Sequence, residues 1–240
     1  MRRDIVPGLL GRSEASRRLS RRTYVIAIDG PAASGKSSTA QLVAEKLGFL
    51  HIDSGSLYRA ATAAALRTEN APARWTEDTV LAAARPVELR AARTSFYPVL
   101  ENRAIEDEIR GEDVTRNVSR VAQMQRVREW VNELVRKAAE ESNVVVDGRD
   151  MGTVVFPDAD LKIFLVADAR ERALRRLRQR GHDPASEQTV DDETIRLEER
   201  DARDARQTVP AGDAVIIDTT ALTQREQVEQ IVSLARQRAL

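Results

Sequence analysis

Residues 30 to 37 read Gly-Pro-Ala-Ala-Ser-Gly-Lys-Ser, an octet that fits the phosphate-binding P-loop pattern G-x-x-x-x-G-K-[ST]. The apolar, β-branched run of residues 24–28 precedes it, as expected for a buried parallel strand. After the octet, apolar residues repeat at helical spacing from Ala40 to Leu47 and stop at Gly48. Strand, glycine loop and helix are the context in which this motif binds a polyphosphate, so the octet predicts a nucleoside triphosphate site.

The expected contacts with ATP come from the loop and the first helical turn after it. Backbone N–H groups there point at phosphates, Lys36 bridges the β- and γ-phosphates, and the Ser37 hydroxyl holds the Mg²⁺ that accompanies ATP. The predicted ATP-binding set is Gly30, Pro31, Ala32, Ala33, Ser34, Gly35, Lys36, Ser37 and Ser38.

Length and composition limit the classes of protein to consider. The 240 residues suit one sizeable α/β domain with a small insert. The 38 basic and 38 acidic residues balance, so no whole-chain field favours nucleic acid or an acidic membrane. The absence of cysteine excludes disulfides, thiolate metal sites and cysteine nucleophiles, and no apolar run approaches membrane-spanning length.

Residues 1–22 carry seven arginines. They lack the apolar central segment that a secretory signal needs. A mitochondrial presequence stays open, although Asp4 and Glu14 count against it. We interpret this segment as a solvated, disordered tail.

Five apolar segments alternate with helical patterns along the rest of the chain. They cover residues 24–28, 49–52, 144–146, 161–166 and 214–217. This alternation predicts an α/β fold with a doubly wound, five-stranded parallel sheet. Short strands at 87–91 and 96–100 indicate a small insert, and apolar residues from Val121 to Ala138 predict one long amphipathic helix.

Polar residues follow several of these strands, and ligands bind at this edge in such sheets. Asp53 and Ser54 follow the second strand, where Ser54 or Ser56 also fits a helix cap and Arg59 suits a phosphate clamp. Asp147 ends the third apolar strand and is a second candidate for Mg²⁺, through water.

Two interpretations stay open for Arg149 and Asp150, which follow Asp147 and Gly148. They form a surface ion pair of little energetic value, or one holds a phosphate while the other accepts from a base amine. Gly148 lets the backbone approach a ligand closely.

Four segments together resemble bacterial cytidylate kinase: the octet, Asp-Ser-Gly-Ser-Leu-Tyr-Arg at 53–59, Asp-Gly-Arg-Asp-Met-Gly-Thr-Val-Val-Phe-Pro at 147–157, and Glu-Arg-Asp-Ala-Arg-Asp at 199–204. The resemblance covers about residues 23 to 235. It implies transfer of the ATP γ-phosphoryl group to CMP or dCMP by a cytoplasmic monomer, without nucleic-acid or membrane partners. It also implies a P-loop kinase core over residues 23–240, with a CMP-binding insert at about 87–116 and a short helical lid at about 175–206.

The resemblance further assigns roles by position. Ser54, Arg128 and Asp150 match positions that read the cytosine. Arg59 and Arg149 match positions that hold the acceptor phosphate, and Arg200 and Asp204 match positions near the sugar and phosphates. The implied CMP-binding set is Asp53, Ser54, Arg59, Arg128, Arg149, Asp150, Arg200 and Asp204, and the implied catalytic residues are Lys36, Arg149 and Arg200. Arg128 rests on the resemblance alone, because its spacing places it mid-helix among exposed charges.

The chain departs from the family at one position. The family usually has an arginine three residues after the aspartate that matches Asp204, but Gln207 stands there and Arg206 comes one residue early. Either Arg206 substitutes through a shifted backbone, or one phosphate contact is lost.

Three alternative functions are weighed against this one. The nearest is a P-loop kinase for another small acceptor, such as shikimate or dephospho-coenzyme A. A GTP-binding switch usually carries Asn-Lys-x-Asp, which does not occur in this sequence. A nucleic-acid-binding module would rely on the arginine-rich tail.

Overall fold

A computed structural model of the chain describes residues 23–182 and 185–238, so the arginine-rich segment 1–22 lies outside the described residues. The five predicted strands are present and lie in the order β2 (Leu50–Asp53), β6 (Val144–Gly148), β1 (Val25–Asp29), β7 (Leu161–Val166) and β8 (Val215–Asp218). Neighbouring strands pair in parallel throughout. The predicted α/β class with a five-stranded parallel sheet is confirmed.

Strand β1 shows why this sheet needs helices on both faces. Successive side chains of a strand point to opposite faces. Val25 and Ala27 accordingly join one apolar cluster, whereas Ile26 and Ile28 join another on the other side of the sheet. Because every residue of β1 is buried, residues 25–28 form a continuous apolar run in the sequence, and only Asp29 at the end of the strand is polar.

Eight α-helices surround the sheet within the described residues. They are α1 (Lys36–Leu47), α2 (Ser54–Thr68), α3 (Glu77–Ala84), α4 (Glu112–Val121), α5 (Gln125–Ala138), α6 (Ala169–Gln179), α7 (Glu187–Asp204) and α8 (Gln224–Arg238). Asp168 caps α6, accepting from the N–H groups of Arg170 and Glu171. In the described ranges, no helix is both long enough and apolar enough to cross a membrane.

The prediction of one long helix from Val121 to Ala138 is wrong. Helix α4 ends at Val121, Met124 has an extended backbone (ψ 115°), and α5 begins at Gln125. Buried valines from both helices pack in the same apolar cluster, so the apolar pattern continues across the break. The break leaves the carbonyl of Ala122 to accept from Nη1 of Arg128.

A second, three-stranded antiparallel sheet is formed by β3 (Val87–Ala91), β4 (Phe96–Leu100) and β5 (Arg103–Ala104). Its first two strands were predicted. The backbone N–H of His51 in β2 donates to the carbonyl of Thr94 at 3.0 Å, next to a bridge with Ser95. The small sheet is therefore attached to the β2 edge of the main sheet.

The burial of the sheet predicts a contrast between two isoleucines. Ile163 in β7 is 1% exposed, and Ile216 in β8 is 60% exposed. We expect Ile163→Ala to lower the free energy of unfolding by about 2–5 kcal/mol, because it leaves a cavity in the core. Ile216→Ala should cost less than about 1 kcal/mol. Urea denaturation measures both values, and equal losses would contradict the assigned faces of these strands.

Candidate active site

A cavity of about 940 Å³ lies at the carboxyl edge of the main sheet, at the upper end of the range of roughly 300–1,000 Å³ for small-molecule sites. It brings together most of the residues singled out in the sequence: Ala32, Ala33, Gly35, Lys36, Ser37, Ser38, Asp53, Ser54, Arg59, Arg128, Asp147, Arg149, Asp150, Arg200 and Asp204. Gly30, Pro31 and Ser34 of the predicted ATP-binding set do not line the cavity.

The P-loop has a backbone shape that its glycines permit. A Cβ atom at Gly30 would lie 2.4 Å from the carbonyl oxygen of Leu165, so no larger residue fits there. Gly35 precedes α1 with φ 85°, in the left-handed region. The first turn of α1 contains no acidic residue, which leaves the helix N-terminus favourable for an anion.

Lys36 folds back over the loop. Its Nζ donates to the carbonyl of Pro31 at 3.0 Å, and the side chain is buried. Burial, together with the nearby positive charge of Arg149, lowers the pKa of Lys36 to about 7. A polyphosphate in the cavity would offset this repulsion.

Helices α6 and α7 contact the P-loop at Ala32. The N–H of Ala32 donates to Oδ1 of Asp201 at 3.1 Å, and its carbonyl accepts from Nη1 of Arg172 at 2.9 Å. The same Arg172 nitrogen lies 2.5 Å from Oδ2 of Asp201. Around this contact Ala32 packs in a small apolar cluster with Ala173, Leu177, Val190 and Leu197. In this arrangement the Ala32 N–H donates to a side chain of α7.

Asp147 is buried at the centre of the site. Its Oδ2 accepts from the Ser37 hydroxyl at 2.5 Å, and its Oδ1 lies 2.7 Å from Nε2 of His51. Burial tends to lower the pKa of His51, but the hydrogen bond and charge of Asp147 outweigh it and hold that pKa above its ordinary value.

The pair Ser37 and Asp147 offers oxygen ligands of the kind that Mg²⁺ prefers. No group of three or more His, Asp or Glu residues in the described part of the chain could hold a metal by itself. This donor set fits an ion that is bound mainly by phosphates and water, as Mg²⁺ usually is in kinases.

Asp29, at the end of β1, fixes the segment that carries Arg149 and Asp150. Its two carboxylate oxygens accept from the N–H groups of Met151 at 2.9 Å and Gly152 at 2.8 Å. Burial raises the pKa of Asp29 from 3.8 to about 6, although both hydrogen bonds act in the opposite direction.

Arg149 does not pair with Asp150, so the surface ion pair considered above is wrong. Its Nη1 donates to the carbonyl of Gly30 at 3.2 Å, and its Nε lies 3.4 Å from Oδ2 of Asp204. The Nε of Arg200 lies 3.7 Å from the same oxygen. Burial and the charge of Arg149 lower the pKa of Arg200 to about 10.

Further arginines surround the space next to Arg149 and Arg200. Nη1 of Arg59 donates to two neutral oxygens at 3.0 Å, the carbonyl of Ile109 and the hydroxyl of Thr115. Arg176 and Arg180 line the same cavity, and both pair with the buried Glu193. Sequence analysis did not single out Arg176 or Arg180. Their i, i+4 spacing was the available signal that they share a helix face.

Arg128 and Asp150 form a buried ion pair on the far side of the cavity. The Arg128 guanidinium also lies 5.9 Å from the ring centroid of Tyr58. The prediction that Arg128 sits among exposed charges is therefore wrong. Ser119 lines the same cavity with a buried hydroxyl that has no hydrogen-bond partner among the described residues. No sequence signal pointed to Ser119.

Two further sequence interpretations need correction around α2. Asp53 is the residue that caps the helix, accepting from the N–H of Ser56, so neither Ser54 nor Ser56 is the cap. Ser54 instead donates to the backbone carbonyl of Asp147 at 2.8 Å. A Cβ at Gly148 would lie 2.7 Å from the Ser54 hydroxyl. The side chain of Met151 would lie 2.8 Å from the same Cβ, so both side chains approach Gly148 closely.

Comparison with known proteins gives consistent matches along most of the chain. Residues 26–237 match the sequence profile described as cytidylate kinase. The chain is 38% identical over 219 residues to a cytidylate kinase of Acholeplasma laidlawii, covering 88% of this chain and 94% of that one. It is 44% identical over 216 residues to a cytidylate kinase of Bordetella bronchiseptica, covering 88% and 95%.

Among solved structures, an uncharacterized protein from Eubacterium ventriosum matches with a TM-score of 0.50 and 14% identity, covering 89% of this chain and 99% of that one. At that identity the likeness concerns the fold alone.

The raised pKa of Asp29 predicts a pH dependence of stability. A carboxyl group whose folded pKa is about 6 stabilises the fold below pH 4 and loses that contribution as pH rises through 6. The shift of about two units corresponds to roughly 3 kcal/mol. Urea denaturation should therefore show that Asp29→Asn costs roughly that much more near pH 4 than near pH 7.5.

Asp213 provides the control, because a hydrogen bond from Lys162 holds its pKa below the ordinary value. Its contribution is present at neutral pH and lost in acid, so Asp213→Asn should follow the opposite trend. A cost of Asp29→Asn that does not change with pH would contradict the assignment.

Proposed function

This chain belongs to the cytidylate kinase family and transfers the γ-phosphoryl group of ATP to CMP or dCMP, and we propose that it does so in the cavity at the carboxyl edge of its main sheet. One observation carries this proposal. The P-loop and the buried Arg128–Asp150 pair face one continuous space, and Arg59, Arg149 and Arg200 lie on its walls.

The donor triphosphate would occupy the P-loop side. The N-terminus of α1 offers backbone N–H groups and a positive dipole end to the phosphates. Lys36 adds a positive charge, and because burial shields this charge from water, its attraction for the γ-phosphate is stronger. Positioning and charge neutralisation are the main needs of phosphoryl transfer, and these groups supply both.

Kinases of this kind use Mg²⁺ with ATP. We assign the ion to the Ser37 hydroxyl, with the Asp147 carboxylate beside it as a contact through water. When bound, Mg²⁺ neutralises charge on the β- and γ-phosphates. The hydrogen bond of Asp147 with His51 keeps the carboxylate turned toward Ser37.

The acceptor phosphate would lie among Arg59, Arg149 and Arg200. The arginines of the cavity outnumber the carboxylates that pair with them. Asp204, for example, forms ion pairs with both Arg149 and Arg200. The remaining positive charge suits two phosphate groups that must approach each other in line. The acceptor is already an anion, so the reaction needs no general base.

The base would be read by Asp150 and Arg128. The N4 amino group of cytosine donates a hydrogen bond, which a carboxylate can accept. O2 and N3 accept hydrogen bonds, which an arginine can donate. Uracil carries a carbonyl at position 4, which would face Asp150 with like polarity and leave a buried group unpaired. Ser119, whose hydroxyl is buried without a partner in the described part of the chain, would add a third contact.

The proposal extends to the organisation of the chain. Residues 87–116 would close over CMP and residues 175–206 would act as the lid. We also propose that the protein acts as a monomer in the cytoplasm, on ATP and CMP, and we assign no role to nucleic acid or membranes.

Substitution of Lys36 tests the donor half. Lys36→Met keeps an apolar stem and removes the charge, so kcat should fall by about 10²–10³-fold while the circular dichroism spectrum stays unchanged. Lys46→Met, in the last turn of the same helix and exposed, should leave kcat within about twofold. Similar losses in both variants would remove Lys36 from its assigned role.

Substitution of Asp150 tests the acceptor half. Asp150→Asn should raise KM for CMP by about 10–100-fold and change KM for ATP by less than about twofold, because a charge-assisted hydrogen bond to the base is lost. Asp113→Asn, at an exposed position in α4, is the matched control. Coupled assays with CMP, dCMP, UMP and AMP complete the test. If the unaltered enzyme used CMP no better than AMP, the base assignment would be wrong.

A further inference from the structure

Gln207 occupies a position that links the end of α7 to the buried Arg128–Asp150 pair. It lies three residues beyond Asp204, the last residue of α7, and its backbone N–H donates to the Asp204 carbonyl at 2.9 Å. Its side chain lines the cavity, and its Oε1 accepts from Nη1 of Arg128 at 2.8 Å. Arg206 is exposed and lies outside the cavity lining.

The chemistry of the contact fixes how the amide is oriented. A guanidinium is a donor only, so Gln207 must present its carbonyl oxygen, and not its NH₂ group, to Arg128. The same Nη1 also donates to the carbonyl of Ala122 at 3.1 Å. Both hydrogens of Nη1 therefore form hydrogen bonds, and the guanidinium cannot rotate without losing at least one of them.

The orientation of Arg128 decides how much of Asp150 remains for a ligand. Arg128 reaches Asp150 through Nη2, and the contact is with Oδ2. Arginine and carboxylate groups commonly pair through two parallel hydrogen bonds. A two-pronged pair through Nη1 and Nη2 would engage both oxygens of Asp150, whereas the observed contact, made by Nη2 alone, leaves Oδ1 outside the pair.

We propose that Gln207 is a positioning residue for recognition of the base. Its amide oxygen holds Nη1 of Arg128, which keeps Nη1 from joining Nη2 in a pair with both oxygens of Asp150 and leaves Oδ1 of Asp150 for the amino group of cytosine. The inference rests on the proposed assignment of Arg128 and Asp150 to the base. Since Gln207 lies three residues beyond the end of α7, the base site is complete only when the end of this helix is seated.

The test compares Gln207→Leu, which removes the acceptor at similar size, with Gln207→Glu, which keeps an oxygen at the same distance. Calorimetric titration with CMP alone should show a Kd about tenfold higher for the leucine variant, as expected for loss of a hydrogen bond to a charged group. The glutamate variant should stay within about threefold of the unaltered protein. Arg206→Ala, the adjacent exposed position, should change nothing.

A second readout separates positioning from a general effect on the fold. If Arg128 pairs with both oxygens of Asp150 in the leucine variant, the ratio of kcat/KM for CMP to that for UMP should fall by about tenfold, while KM for ATP stays within about twofold. Thermal unfolding of each variant checks the fold. Gln207→Ser repeats the measurement if the leucine variant loses more than a few degrees in Tm.

Three results would overturn the proposal: unchanged CMP affinity in Gln207→Leu, an equal loss of ATP and CMP affinity, or a larger loss in Arg206→Ala. Asp150→Asn shows whether the role of Gln207 or the assignment of the base site is wrong. If Asp150→Asn weakens CMP binding and Gln207→Leu does not, only the role of Gln207 is wrong. If neither variant affects CMP, the assignment of the base site itself is wrong.

Discussion

The buried carboxylate of Asp147 is the contact on which the geometry of the site depends. The strand register places Asp147 beside Asp53 of the neighbouring strand β2. One carboxylate oxygen accepts from Ser37 at the start of α1, the other meets His51 of β2, and the backbone carbonyl accepts from Ser54 at the start of α2. Asp147 thus connects α1, which carries the proposed ATP contacts, with β2 and α2, which carry proposed CMP contacts. Buried hydrogen-bond networks of this kind are rigid when every member has a partner.

Around this fixed centre the protein gathers more positive charge than its own carboxylates balance. Burial and mutual repulsion lower the pKa of both Lys36 and Arg200. Asp204 and Glu193 are each shared between arginines, which holds the cations in place without neutralising them. Under the proposed function, phosphate ligands would relieve this repulsion, and preorganised charge of this kind is a main source of catalysis in phosphoryl transfer.

Local patterns predicted the P-loop, the parallel sheet and the edge at which the polar segments meet, because each depends on residue spacing and on a general rule for such sheets. The sequence could not predict the break before Met124, since buried valines continue on both sides of it. Residue spacing also could not predict that Arg128 is buried beside Asp150, although the resemblance assigned both to the cytosine, or that Gln207 contacts Arg128. These contacts join segments far apart in the chain, and only tertiary packing determines them.

The contact between Ala32 and helices α6 and α7 has a consequence for how this sequence can diverge. The P-loop pattern allows any residue at four positions, but Ala32 is buried in one apolar cluster with Leu177, Val190 and Leu197. A larger side chain at position 32 would need a smaller one in α6 or α7. Substitutions at position 32 and in α6 or α7 should therefore occur together, although these segments lie far apart in the sequence and the P-loop pattern leaves position 32 variable.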